Sequence, residues 1–152
     1  MENSISSQTD ALLALLVQQV DANKAELIGY YQQALRETLF TNRAEVRPNI
    51  LKDIAVDEAG AFFNFLSQPE FSGVERGSQL YQIGLDLQAV LHLGHATRRF
   101  FLLNLECDQI APMLETVHAY QNSLMQGFMQ NLEKNHLIEL EYIRNSPKRG
   151  SD

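Results

Sequence analysis

The stretch Tyr81-Gln82-Ile83-Gly84-Leu85-Asp86-Leu87-Gln88-Ala89-Val90-Leu91 decides the fold. Gly84 reads as the end of one helix, because glycine accepts the positive φ that a helix C-cap requires. Asp86 reads as the N-cap of the next, since its short carboxylate can accept from a free backbone N–H of the first turn. Upstream, Gly73 to Ser78 opens the helix that Gly84 closes, with Val74, Leu80, Tyr81 and Ile83 as its apolar contacts. Downstream, Leu87, Val90, Leu91, Leu102 and Leu105 are among the apolar positions of a helix that is apolar on most sides. A helix of that kind belongs at the centre of a fold.

Further out the same helical punctuation continues. Thr9 or Asp10 is placed to cap a first helix carrying Leu12, Leu13, Leu16, Val17 and Val20 at threes and fours. The pattern pauses at Asp21 to Asn23 and resumes through Leu27, Ile28, Tyr31, Leu35 and Leu39, as one bent helix or two. Thr41 to Pro48 breaks it, because the residue before a proline is pushed out of the α region. Pro48 stands near the start of a third helix running to Gln68, with Asp57 and Gly60 as a candidate junction, so that one helix or two shorter ones fit. Asp108 and Pro112 begin the last helix, whose apolar stripe from Met113 to Tyr142 spans more than the core of one small domain needs.

No stretch alternates as a strand does, and no internal repeat is visible, so the expected class is all-α. A single domain is expected over residues 1–145, with residues 146–152 as a polar tail or linker. The length of 152 residues agrees with that, since a domain takes about 150. Apolar residues make up 45%, enough to fill a core and too many for a disordered chain. Twelve basic against nineteen acidic side chains leave a net charge of -7, which would repel a phosphate backbone and argues against nucleic acid as a partner. The single cysteine, Cys107, excludes an internal disulfide framework and a cysteine-rich zinc site. Met1 to Asp10 lacks the basic start and apolar run of a signal peptide. The apolar runs Ala11–Val17 and Phe100–Leu103 fall short of the ~20 residues of a membrane helix. A cytoplasmic protein without a membrane span is expected.

The helix order, and above all Ile83-Gly84-Leu85 with the helix that follows at once, resembles the globin-like sensor superfamily. In globin-coupled sensors a histidine just before an Ile-Gly-Leu turn ligates haem; here the position three before Ile83 is Leu80, and leucine cannot ligate iron. The chain therefore looks more like the non-haem branch, the stressosome-type (RsbR-like) N-terminal sensor domains and those linked to sporulation kinases. The likeness covers about Leu12 to Tyr142. It implies a non-enzymatic, globin-like regulatory domain in signal transduction and stress response, dimeric through its last two helices and coupled to an output domain or kinase. Some relatives hold a fatty acid where haem would lie, so an apolar small molecule is an implied ligand and no resident cofactor is.

Candidate site residues follow two lines. Phe62, Phe65 and Leu66 on the third helix, Leu80 and Ile83 on the fourth and Phe101 on the fifth would line an apolar cavity, or simply fill a core. His95 with Arg98 and Arg99 would supply one polar end, since an arginine fork pairs bidentately with a carboxylate; the alternative is an ordinary ion pair. His92 and His95 lie three apart and give half a metal site at most, and a haem-binding gas or redox sensor using either one is the runner-up function. Tyr120, Leu124, Phe128 and Leu132 are expected at a homodimer seam, with packing inside the domain as the alternative. A third function is a ligand-free module that sequesters a partner protein. No Gly-x-Ser-x-Gly, P-loop or His-Glu-x-x-His motif supports catalysis.

Overall fold

The computed structural model describes residues 2–41, 47–68 and 70–146, and everything described is helix or short connection. The order is α1 (Glu2–Ala22), α2 (Lys24–Thr41), a 3-10 turn (Pro48–Ile50), α3 (Leu51–Ser67), α4 (Gly73–Ile83), α5 (Leu87–Leu102) and α6 (Cys107–Asn145). The all-α expectation holds. No helix among the described residues is long and apolar enough to cross a membrane. The expected tail beyond Ser146 and the centre of the break between Thr41 and Pro48 lie outside the described residues.

The deciding stretch folds as read. Gly84 takes φ 103°, in the left-handed region, and its N–H donates to the carbonyls of Leu80 and Tyr81. Asp86 Oδ1 accepts from the Ala89 N–H at 2.9 Å and caps α5. Ser72 caps α4 by accepting from the Val74 N–H. The pause at Asp21 to Asn23 is a division into two helices, and Asn23 lies between them.

Three expectations need correction. The first helix starts at Glu2, a full two turns before Thr9 and Asp10, which lie inside it. Asp57 and Gly60 make no junction: α3 is continuous, because Ile54, Ala55, Glu58, Ala59, Phe62 and Leu66 keep one unbroken buried face across them. The last helix begins at Cys107, one residue before Asp108, and is capped by Glu106 through a reciprocal box in which the Gln109 side chain accepts from the Glu106 N–H. Pro112 then falls inside α6, in its second turn.

α4 lies along α6, α2 packs on both α3 and α5, α5 packs on α6, and α1 rests on α3. The α4–α6 approach is close enough to need glycine on both sides. A Cβ on Gly77 would run into the Leu124 backbone, and one on Gly127 into the Val74 carbonyl. Leu16, Leu27, Leu35, Leu80, Leu93, Phe100, Phe101 and Met113 fill the centre with no exposed surface to speak of. By contrast α3 and α4 touch only lightly, and a cleft opens between them.

Candidate functional site

The α3/α4 cleft holds about 510 Å³. Its α3 wall is Val56, Asp57, Gly60, Ala61 and Asn64; opposite stand Phe71, in the connection before α4, and Glu75, Arg76 and Gln79 of α4, with Lys24 at one end. Arg76 separates this cleft from the core. It is 6% exposed, the only buried Lys or Arg among the described residues, and its Nε donates to Glu58 Oε2 at 2.8 Å.

Glu58 is 1% exposed and sits on the buried face of α3. Its second oxygen, Oε1, accepts from the Tyr120 hydroxyl at 2.7 Å, so one carboxylate ties α3 to both α4 and α6. The Tyr120 ring stands against Phe62 and Phe65 at centroid distances of 5.1 and 5.0 Å. The outer nitrogens of Arg76 are held less well: Nη1 donates to Gln79 Oε1 and Nη2 to the Ile54 carbonyl, both at 3.4 Å. Beside the cluster, the Tyr31 hydroxyl and Thr97 Oγ1 share a 2.8 Å hydrogen bond that joins α2 to α5.

Burial pushes the Glu58 carboxyl up from its ordinary value, while the charge and hydrogen bond of Arg76 and the hydrogen bond of Tyr120 pull it back down. The geometry, an N–H and an O–H aimed at separate carboxylate oxygens, is that of the ionised group. The hydroxyls of Tyr31 and Tyr120 are raised, first by burial and then by the negative charge of Glu58. They remain neutral donors throughout the physiological range.

The residues expected at an apolar cavity are mostly core. Phe62, Leu66, Leu80 and Phe101 are buried, with the Phe62 and Phe101 rings 5.9 Å apart. Phe65 and Ile83 are partly buried against the same core. The expected polar group lies elsewhere. Arg98 Nη2 donates to His95 Nδ1 at 2.8 Å and Nη1 to Gln121 Oε1 at 2.7 Å, which directs Arg98 toward α6. His95 and Arg99 are exposed and line a small surface cleft with Tyr30, Gln33, Glu37 and His92 on the α2 side of α5. His95 is held below the ordinary histidine value by burial, then by the neighbouring charges of Arg98 and His92. The structure therefore does not bring His95, Arg98 and Arg99 to the α3/α4 cleft. The His92 and His95 rings stand 6.2 Å apart and nearly perpendicular. Among the described residues no three His, Cys, Asp or Glu side chains are grouped to hold a metal.

The expected seam divides along α6. Tyr120, Leu124 and Phe128 are buried in the chain's own core, the last against Tyr81 at 5.3 Å, so these three have no free surface to offer a second copy. Leu132 is 41% exposed and begins a run in which Leu137, Ile138, Leu140, Tyr142 and Ile143 are all exposed, Tyr142 at 76%. Asn131 and Asn135, the last α6 side chains hydrogen-bonded to another helix among the described residues, donate to Ser78 Oγ and to the Tyr81 hydroxyl.

Glu58 and Arg76 were not singled out by sequence, yet a signal was present. Leu51, Ile54, Ala55, Glu58, Ala59, Phe62 and Leu66 recur at threes and fours, which places one acid within an otherwise apolar stripe. Such an acid requires a buried partner. Comparison with family models, with curated proteins and with solved structures gives no match to this chain.

Proposed function

We propose that the chain is a regulatory sensor module of globin-like architecture that pairs with a second copy through the far half of α6. The carrying observation is the exposed end of that helix. Met125, Met129, Leu132, His136, Leu140 and Ile143 recur at threes and fours on one face, and from Leu132 onward they are exposed among the described residues. A monomer seldom leaves so continuous an apolar surface in water, and helices with this spacing bury it against one another. The helix pairing, α2 with α3 and α5 and α4 with α6, supports the globin-like part of the reading.

In this reading the α3/α4 cleft is the input, and the α6 pair carries the change to an output domain or kinase. A ligand shifts such a module only by binding its two arrangements unequally. A fatty acid or other apolar molecule entering beside Phe71 and Val56 is the ligand that the resemblance suggests. Extraction of the purified protein followed by mass spectrometry tests that part; no lipid, together with no thermal shift from added fatty acids, removes it. Sedimentation equilibrium tests the pairing. The expected result is twice the chain mass, reduced to one by Leu132→Glu, Leu140→Glu and Ile143→Glu together with helix content kept. A wild-type chain that stays monomeric through the micromolar range refutes the reading.

A further inference from the structure

The cleft and the buried ion pair behind it share one side chain, and that side chain has two places to go. Inward, Arg76 holds Glu58 by a single hydrogen bond from Nε, with its two outer nitrogens only loosely engaged. Outward, it already lines a 510 Å³ cleft whose walls carry two further carboxylates, Asp57 and Glu75. Glu58 has no such alternative. It is 1% exposed and fixed by Tyr120 from α6.

We propose that Arg76 is a two-position switch set by a proton on Glu58. With Glu58 ionised, the guanidinium stays inward and ties α4 to α3. A proton taken from solvent neutralises Glu58 and leaves a buried guanidinium without a counter-charge. That arrangement is unstable inside a protein, so Arg76 turns out to the cleft, to water and to Asp57 and Glu75. The neutral carboxyl keeps its hydrogen bond with Tyr120. Because α3 and α4 touch little elsewhere, loss of the inward tie widens the cleft.

The groups that face Glu58 are few. Arg76 comes from α4 and Tyr120 from α6, while the hydroxyl of Tyr31 on α2 lies within the field of the Glu58 charge. Both tyrosines stay protonated over the relevant range, so the proton is Glu58's own. Burial already raises the affinity of this carboxyl for it. The switch rests on the cleft and its ion pair alone and needs no second copy, so it stands or falls separately from the pairing through α6.

The chain has no tryptophan, so Phe71→Trp places a single fluorophore on the cleft wall. Its emission is titrated from neutral pH downward, within the range where far-ultraviolet circular dichroism is constant. The expected result is a one-proton transition. Added Glu58→Gln should give the low-pH emission at every pH. Added Asp57→Asn with Glu75→Gln weakens the outward position and should move the midpoint down by roughly 0.2 to 0.7 pH unit, the scale of an exposed ion pair. A transition that survives Glu58→Gln unchanged, or a Glu58→Gln emission fixed at the neutral-pH value, overturns the proposal. The Glu58 carboxyl carbon resonance of the unsubstituted chain provides a reading that depends on no variant's folding. Titration in step with the Arg76 Nε–H resonance supports the switch, and a carboxyl that titrates without any change at Arg76 overturns it.

Discussion

Gly77→Ala and Gly29→Ala make the same chemical change inside two helices and should move stability in opposite directions. Gly29 stands on the exposed side of α2 with nothing within 4 Å of where a Cβ would be. Alanine there removes backbone freedom from the unfolded chain and meets no neighbour, a gain of about 0.5–1 kcal/mol. Gly77 faces α6. A Cβ there would lie 2.7 Å from the Leu124 carbonyl carbon and 2.9 Å from its Cα. Carbon pairs settle at about 3.5–4.0 Å, and the Leu124 carbonyl oxygen stands closer still, so α4 and α6 must part by more than about 1 Å. Backbone cannot turn aside as a side chain does, which puts the overpacking cost near the top of its usual range, about 3 kcal/mol. Set against the same helix-propensity gain, the net loss is about 2 kcal/mol. Denaturant unfolding of both variants beside wild type, with m-values compared, measures the difference directly. If Gly77→Ala unfolds at or above the wild-type midpoint, the close α4–α6 approach is not real and the placement of Arg76 loses its support.

Tyr120→Phe keeps the ring among Phe62 and Phe65 but leaves Glu58 Oε1 buried without its donor; a loss of about 1–3 kcal/mol is expected in the same unfolding assay. Asp86→Ala removes the side-chain acceptor at the start of α5 and should lower stability by about 1 kcal/mol, while Asp86→Asn should restore most of it. A raised Glu58 carboxyl means that the folded chain binds this proton more tightly than the unfolded chain does. Its contribution to stability is therefore complete below the ordinary glutamate value and is lost as pH rises through the raised one. The stability of wild type relative to Glu58→Gln should accordingly fall as pH is raised from about 4.5, and a flat difference would contradict the raised value.

The parts of the fold legible in the sequence are those that local backbone chemistry fixes. Gly84 needs a positive φ and Asp86 needs a free N–H, and neither depends on what packs against the turn. The start of α1 and the first turn of α6 were less legible, because several polar residues follow one another at each. At Glu106 a carboxylate and a Gln109 amide satisfy the first turn together, with Asp108 inside the helix. The candidate site was less legible for a tertiary reason. His95, Arg98 and Arg99 are close in sequence and look like a group, yet Arg98 bonds to Gln121 on α6 while Arg99 lines the surface cleft shared with α2. Glu58, Arg76 and Tyr120 are far apart in sequence and meet only because α3, α4 and α6 surround one point.

That meeting point also bears on how a change in the cleft would reach the far end of α6. Tyr120 and Ile143 belong to one helix, which runs on without a proline or a break between them. The side-chain ties to the fold end at Asn131 and Asn135. Beyond Asn135 the remaining ten residues to Asn145 extend about 15 Å as a stalk. A stiff rod held at its base converts a small rotation there into a larger displacement at its tip. Tyr120 lies about four turns before that base on the same helix, packed on α3 and hydrogen-bonded to Glu58, so a shift of Glu58 on release of Arg76 would reach α6 through the bond they keep. The coupling predicts a direction of dependence: Tyr120→Phe should abolish any effect of pH on pairing through Leu132, Leu140 and Ile143 while leaving pairing at neutral pH intact. Sedimentation at two pH values, with and without that substitution, reads it. Pairing that responds to pH equally in both chains would show that the signal, if the cleft generates one, travels to the stalk by a route other than Tyr120.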